Sequence, residues 1–163
     1  MVNFKSFRGV VTQIDDFPIG QNGEKEGCYK IMTVEDSTQG VVNFIVSPST
    51  YFVNQEIVTL GDQITGYYDG NAPVPMIYPP QYRALVVVKE NNYLNVKVDF
   101  FNNQLVSSDG QLQLNLSAYT LILLKNGQPF SKSPANRNLI VIYGPTTRSI
   151  PAQTTPYKII VWC

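Results

Sequence analysis

Apolar and polar residues alternate with a period of two along most of this chain, and that pattern limits it to folds built from half-buried strands. The alternation is clearest in Gly9 to Ile14 (GVVTQI), Val41 to Val46 (VVNFIV), Asn95 to Phe100 (NVKVDF) and Leu112 to Leu116 (LQLNL). Continuous apolar runs at Ala84 to Val88, Leu121 to Leu124, Leu139 to Tyr143 and Lys158 to Trp162 fit strands covered on both faces. Turn signals separate these segments at Asp36 to Gly40, Gly61-Asp62, Asn102-Asn103, Asp109-Gly110 and Asn126-Gly127. Helical periodicity is almost missing. Ser47 to Val53 could open a helical turn at Ser-Pro, but its β-branched and aromatic residues favour a strand. The expected class is therefore all-β, with about ten short strands.

The two halves resemble each other. Shifted by 70, Gly40 to Val53 lies ungapped on Gly110 to Leu123, matching Gly40 with Gly110, Phe44 with Leu114, Ser47 with Ser117 and Thr50 with Thr120. Shifted by 75, Ile64 to Val86 lies on Leu139 to Val161, which matches Tyr68 with Tyr143 and Tyr82 with Tyr157. The change of offset falls after Leu124, where Gly-Gln-Pro-Phe-Ser reads as a loop insertion. These matches predict a tandem duplication, residues 1–90 and 91–163, with about five strands in each copy. Strands are expected near 7–17, 28–35, 41–52, 62–68 and 82–89, then near 94–101, 104–107, 111–124 in two pieces, 138–143 and 157–162. Five strands with a long connection before the last describe an OB-like, partly open barrel; SH3-like or other small β-barrels are the alternative.

Composition removes several chemistries. There is no histidine among the 163 residues, which excludes imidazole-based nucleophilic catalysis and nitrogen-ligated metal sites. Cys28 and Cys163 form neither a zinc knuckle nor a CxxC pair, and whether they pair with each other stays open. Asp15-Asp16, Glu24, Glu26, Glu35-Asp36 and Asp69 match no calcium loop, and Asp15-Asp16 sits where a solvated turn is expected. Ser47, Ser49 and Thr50 have no Ser-x-x-Lys partner. No phosphate-binding glycine loop is present. The reading is of a chain without enzymatic activity or cofactor. It also lacks a signal-peptide core and any long apolar run, so no membrane insertion and a cytoplasmic location are expected.

Charge is balanced over the whole chain, with 12 basic and 12 acidic residues. It is not balanced by half: residues 1–90 hold 6 basic and 10 acidic side chains, net −4, and residues 91–163 hold 6 and 2, net +4. The opposed charges would help the copies pack, within a chain or between chains, so a homo-oligomer is open. Alternatively the basic copy, with Arg137, Arg148, Lys132 and Lys158 near Phe130, Tyr143 and Tyr157, would hold single-stranded nucleic acid by phosphate contact and stacking. Net neutrality makes nucleic acid the lesser reading.

The most distinctive segment runs from Tyr67 to Ala84 (YYDGNAPVPMIYPPQYRA). Its prolines stiffen a long connection, and with the interleaved tyrosines they also offer a contact surface. Gly61 to Tyr82 fits the signature Gly-Asp-x-[Ile/Val]-Thr-Gly-[Tyr/Phe]-Tyr-Asp-x-x-Ala-Pro-x-Pro-x-Ile-Tyr-Pro-Pro-Gln-Tyr and so resembles a group of small clostridial-type bacterial proteins. The resemblance extends to Gly144 to Tyr157 (GPTTRSIPAQTTPY) and implies a bacterial protein, intracellular or associated with the cell envelope, but no activity. The 14 Asn and 11 Gln, with abundant hydroxyls and few charges, suit contact with a protein or a glycan. The function expected is a non-catalytic binding or assembly module. Its candidate surface comprises Tyr68, Pro73, Pro75, Tyr78, Tyr82, Arg137, Tyr143, Arg148 and Tyr157.

Overall fold

A computed structural model describes residues 1–18 and 23–163 and is all-β, without α-helix among the described residues. The chain forms two compact units, Met1–Glu90 and Asn91–Cys163.

The first unit is one sheet of seven strands: β1 (Phe4–Asp16), β2 (Lys30–Asp36), β3 (Gly40–Val46), β4 (Tyr51–Phe52), β5 (Gln63–Asp69), β6 (Gln81–Arg83) and β7 (Val86–Lys89). They lie in the order β4-β7-β5-β1-β2-β3-β6. Thirteen-residue β1 serves two partners, because its first half pairs antiparallel with β5 and its second half with β2. A bulge between Val11 and Gln13 lets it turn from one to the other. Gly9 sits at this bend: a Cβ there would lie 2.5 Å from the Glu35 carbonyl oxygen, so only glycine admits the approach of β2. β6 lies parallel to β3 and β7 antiparallel to β5, yet only Ala84 and Leu85 separate them. They act as one bent strand, whose first half pairs with β3 near one margin of the sheet and whose second half pairs with β5 near the other. The inward positions form one core around Val11, Val34, Phe44, Ile64 and Val87.

The second unit repeats these pairings with shorter pieces. Its strands are β8 (Asn95–Phe101), β9 (Leu112–Leu114), β10 (Leu121–Leu124), β11 (Arg137–Tyr143), β12 (Ala152–Thr154) and β13 (Lys158–Val161). β11 pairs antiparallel with β8 and β13, β12 is parallel to β9, and β10 is parallel to β13. Isolated bridges from Phe101 to Ser107 and from Val106 to Gln113 stand where β2 stands in the first unit. The core gathers Phe101, Leu112, Leu114, Leu139, Val141, Ile159 and Val161.

Individual hydrogen bonds also recur. Thr50 Oγ1 accepts from Ser47 N (3.0 Å) and donates to Ala84 O (2.8 Å); Thr120 Oγ1 accepts from Ser117 N (3.3 Å) and donates to Pro156 O (2.9 Å). Tyr51 N donates to Leu85 O and Leu85 N to Tyr67 O, while Leu121 N donates to Tyr157 O and Tyr157 N to Ile142 O. These bonds keep the offset of 70 at Thr50 and of 75 at Tyr67 and Tyr68. They correct it to 72 in the last strand, so Tyr157 takes the place of Leu85, and Thr154, not Tyr157, takes the place of Tyr82. The loop before the last strand is three residues shorter in the second unit, which an ungapped match of tyrosines hides.

Two further expectations change. Leu121 to Leu124 is not covered on both faces, since Leu121 is 57% exposed and β10 has a strand partner on one side only, apart from a bridge to Pro129. Ser47 to Val53 splits into a turn, the two residues of β4 and the start of a single 3₁₀ turn, Val53–Gln55.

Candidate binding groove of the first unit

The connection from β5 to β6 is pinned at both ends. At its start the Asp69 carboxylate accepts the backbone N–H groups of Asn71 (2.9 Å) and Asn3 (3.1 Å), which hold its pKa below the ordinary value. At its end Pro80 O accepts from Asn43 N of β3 (2.8 Å). Between these ties residues 71–78 are exposed without interruption. Four prolines at 73, 75, 79 and 80 remove donors that such a path would otherwise have to satisfy.

Tyr68, at the end of β5, and Tyr82, in β6, are 14 residues apart in sequence, but their rings stack at 3.9 Å with an interplanar angle of 9°. The buried Phe44 ring supports both, at 6.3 Å from Tyr68 and 6.5 Å from Tyr82. Burial, helped by the Tyr82 phenol beside it, pushes the Tyr68 hydroxyl up to about 12. Gly66, one inward position before Tyr68, leaves the space that Phe44 fills.

A groove of about 540 Å³ opens over this pair, within the range of ordinary ligand pockets. Tyr68 and Tyr82 line it with Pro73, Val74 and Pro75 from the loop, Ile45 and Leu85 from the sheet, and Val2 and Phe17 from the first segment. Asp69, Gln81 and Arg83 supply its polar groups. The structure thus brings together Tyr68, Pro73, Pro75 and Tyr82 of the expected surface. Tyr78 stays outside the groove, 80% exposed on the loop. Sequence reasoning missed Val2, Phe17, Ile45 and Leu85, although an apolar Phe17 directly after an acidic pair was a usable signal.

The remaining candidates lie in the second unit. Arg137 stands 4.7 Å over the Phe130 ring, a cation–π contact on the flank of the core. Tyr143 packs half-buried against that core, and burial first, then the Asp109 charge, raises its pKa. Tyr157 is 54% exposed and leaves no room for a side chain at Gly144. Arg148 lies in the exposed stretch 145–150. Here the shorter loop is tied to itself: Thr154 Oγ1 donates to Pro145 O, Gln153 N to Thr147 Oγ1, and Ser149 Oγ to Pro151 O.

The acidic residues singled out in the sequence are mostly engaged in turns and ion pairs. Asp15 and Asp16 lie in β1, paired with Ile31 and Lys30 of β2 and not in the expected turn; Asp15 accepts from Gln13, Asp16 pairs with Lys30, and Asp36 accepts from the Thr38 hydroxyl and the N–H groups of Thr38 and Gln39. Cys28 and Cys163 are both free and exposed. Among the described residues no helix is long and apolar enough to cross a membrane.

A scan against models of known protein families finds no match, and a search of curated protein sequences finds no significant relative.

Proposed function

We propose that each unit is an OB-like barrel, that the two arose by tandem duplication, and that the chain is a non-catalytic binding module whose contact site is the first-unit groove. The barrel reading is supported by the bent strand β6–β7, which pairs with β3 on one side and β5 on the other while β1 bridges β5 and β2. Stacked parallel coils fit less well, since parallel pairing is confined to β3–β6, β4–β7, β9–β12 and β10–β13. The recurring Thr50 and Thr120 staples support the duplication.

The observation that carries the function is the stacked Tyr68–Tyr82 pair under an open, mostly apolar groove. The occupant it suits is an extended protein segment bearing proline or aliphatic side chains, because proline-rich peptides dock into grooves lined by aromatic residues. A glycan fits less well: each tyrosine spends one ring face on the other, and ring faces are what sugars stack upon.

Titration of ¹⁵N-labelled protein tests this. A proline-bearing peptide should shift amide signals of residues 68–85, and Tyr82→Ala should abolish the shifts. An oligosaccharide or oligonucleotide should leave these residues unmoved. An oligonucleotide that instead shifts residues around Phe130 and Arg137 would favour nucleic-acid binding by the basic unit.

A further inference from the structure

Every acidic side chain of the second unit lies before Gly110. From Gly110 to Cys163 the chain carries five basic side chains, Lys125, Lys132, Arg137, Arg148 and Lys158, and no acidic one. The two acids that precede are already engaged: Asp109 pairs with Lys97, and Asp99 accepts the N–H of Phe100 (2.8 Å).

The sheet gathers part of this surplus at one end. Leu124 of β10, Val161 of β13 and Leu139 of β11 share one rung, and β11 runs opposite to the other two. Lys125 and Trp162 therefore leave the sheet side by side, and Trp162 N donates to Asn138 O (3.0 Å), next to Arg137. Lys125 and Arg137 flank β13 at two strand spacings, about 10 Å. Lys125 Nζ lies 4.0 Å over the Trp162 ring and Arg137 Cζ 4.7 Å over the Phe130 ring. A ring face orders a cation without bringing the carboxylate that would neutralise it. Among the described residues neither cation makes an ion pair. Exposed Lys132, in the connection between them, is the one charged residue of 126–136.

A ligand feels charges within a Debye length, ~10 Å at 0.1 M salt, so this local surplus matters more to it than the neutral sum over the chain. Large apolar side chains that this unit exposes, such as Tyr119 and Leu121, stand at the opposite end of β10. The basic end thus lacks the apolar anchor that a bilayer or a protein partner takes.

We infer that the end of the second unit bearing Lys125, Lys132 and Arg137 is a second binding site, independent of the groove, which holds single-stranded nucleic acid by its phosphates. It takes in Lys125, which the sequence reading left out, and omits Tyr143, Arg148 and Tyr157. Each ring spends a face on its cation, so contact is to the backbone and tolerant of base sequence. A single strand can bend to bring successive phosphates to three close cations, which a stiff duplex does not.

Fluorescence anisotropy of the full chain with labelled oligothymidylate and oligoadenylate tests it. The two should bind within about threefold of each other, and three phosphate contacts predict a slope of about −2 for log K against log salt. Lys125→Gln, Lys132→Gln and Arg137→Gln should each weaken binding about tenfold at low salt and flatten the slope by about 0.7. Lys25→Gln, which removes the same charge from the first unit, should change neither. No binding at about 50 mM salt, losses as large with Lys25→Gln, or a slope unmoved by the three variants overturns the inference. A preference above about tenfold for one base also overturns it, by placing the contact on the bases. So does binding to anionic lipid vesicles that oligothymidylate fails to displace.

Discussion

Gly66 and Phe44 offer the sharpest test of how the groove is supported. A Cβ on Gly66 would lie 2.5 Å from Phe44 Cε2 and Cζ, inside any real contact distance. Phe44 is fully buried and carries Tyr68 and Tyr82 on its other sides, so its ring has nowhere to swing. In the second unit the matching positions hold Val141 and Leu114, which share the same space the opposite way: the strand residue is larger and its neighbour smaller. Gly66→Val alone should therefore cost about 3 kcal/mol by overpacking, and Phe44→Leu about 1.5 kcal/mol by loss of volume. The double variant recreates the second unit's pair and should cost about 2 kcal/mol, a coupling of about 2.5 kcal/mol for residues in direct contact. Urea unfolding followed through isoleucine methyl signals separates the units, with Ile64 and Ile45 reporting on the first and Ile140 and Ile160 on the second. The argument is refuted if Gly66→Val is silent, or if the double variant loses as much as the two single variants added together.

Three more outcomes follow from the same structure. Thr50→Val removes both the acceptor for Ser47 N–H and the donor to Ala84 O, and should destabilise the first unit by about 1–2 kcal/mol; Thr120→Val should do the same to the second unit only, in the same methyl assay. The Asp36 carboxyl is held below its ordinary pKa by the Thr38 hydroxyl, then by the Thr38 and Gln39 N–H groups. A depressed folded pKa gives stability that is present above the unfolded value of about 4 and lost as pH falls through the folded one, so Asp36→Asn should flatten the acid limb of a melting-temperature profile. Tyr68 carries the opposite sign: with its pKa raised to about 12, stability should fall as pH rises from about 10 towards 12, and Tyr68→Phe should lessen that fall and remove one late-ionising phenol from the alkaline ultraviolet titration.

The strands were legible because period-two alternation reports which face of a residue is buried, and that face is what a strand requires. Their registers were less so. Thr50 and Thr120 align by eye because one staple fixes both, whereas Tyr82 and Tyr157 align only by residue type, and the hydrogen-bond ladder assigns them to different rungs. Leu121 to Leu124 misleads for a related reason. An apolar run shows that a segment is attractive to a core, not that the fold supplies neighbours on both sides. The groove was half visible: prolines and tyrosines between Tyr68 and Tyr82 marked the loop, and these residues do line the hollow. Val2 reaches it through the pairing of β1 with β5, Phe17 through that of β1 with β2, and Ile45 through that of β3 with β6, which no local pattern encodes.

The two units show how one ladder can carry two different surfaces. In the first, volume is placed on Phe44 and Tyr82, the facing strand gives way at Gly66, and the loop is three residues longer, so two rings stack beside the loop and line a hollow. In the second, Leu114, Val141 and Thr154 occupy the matching places, and Thr154 uses its hydroxyl to tie the shorter loop at Pro145. The backbone pairings tolerate both arrangements because the sheet draws its stability from inward side chains and ladder bonds, not from the exposed loop between β5 and β6 or its counterpart between β11 and β12. The stacked pair and the longer loop are the physical ground for proposing a contact site in residues 68–85 and not in residues 143–157.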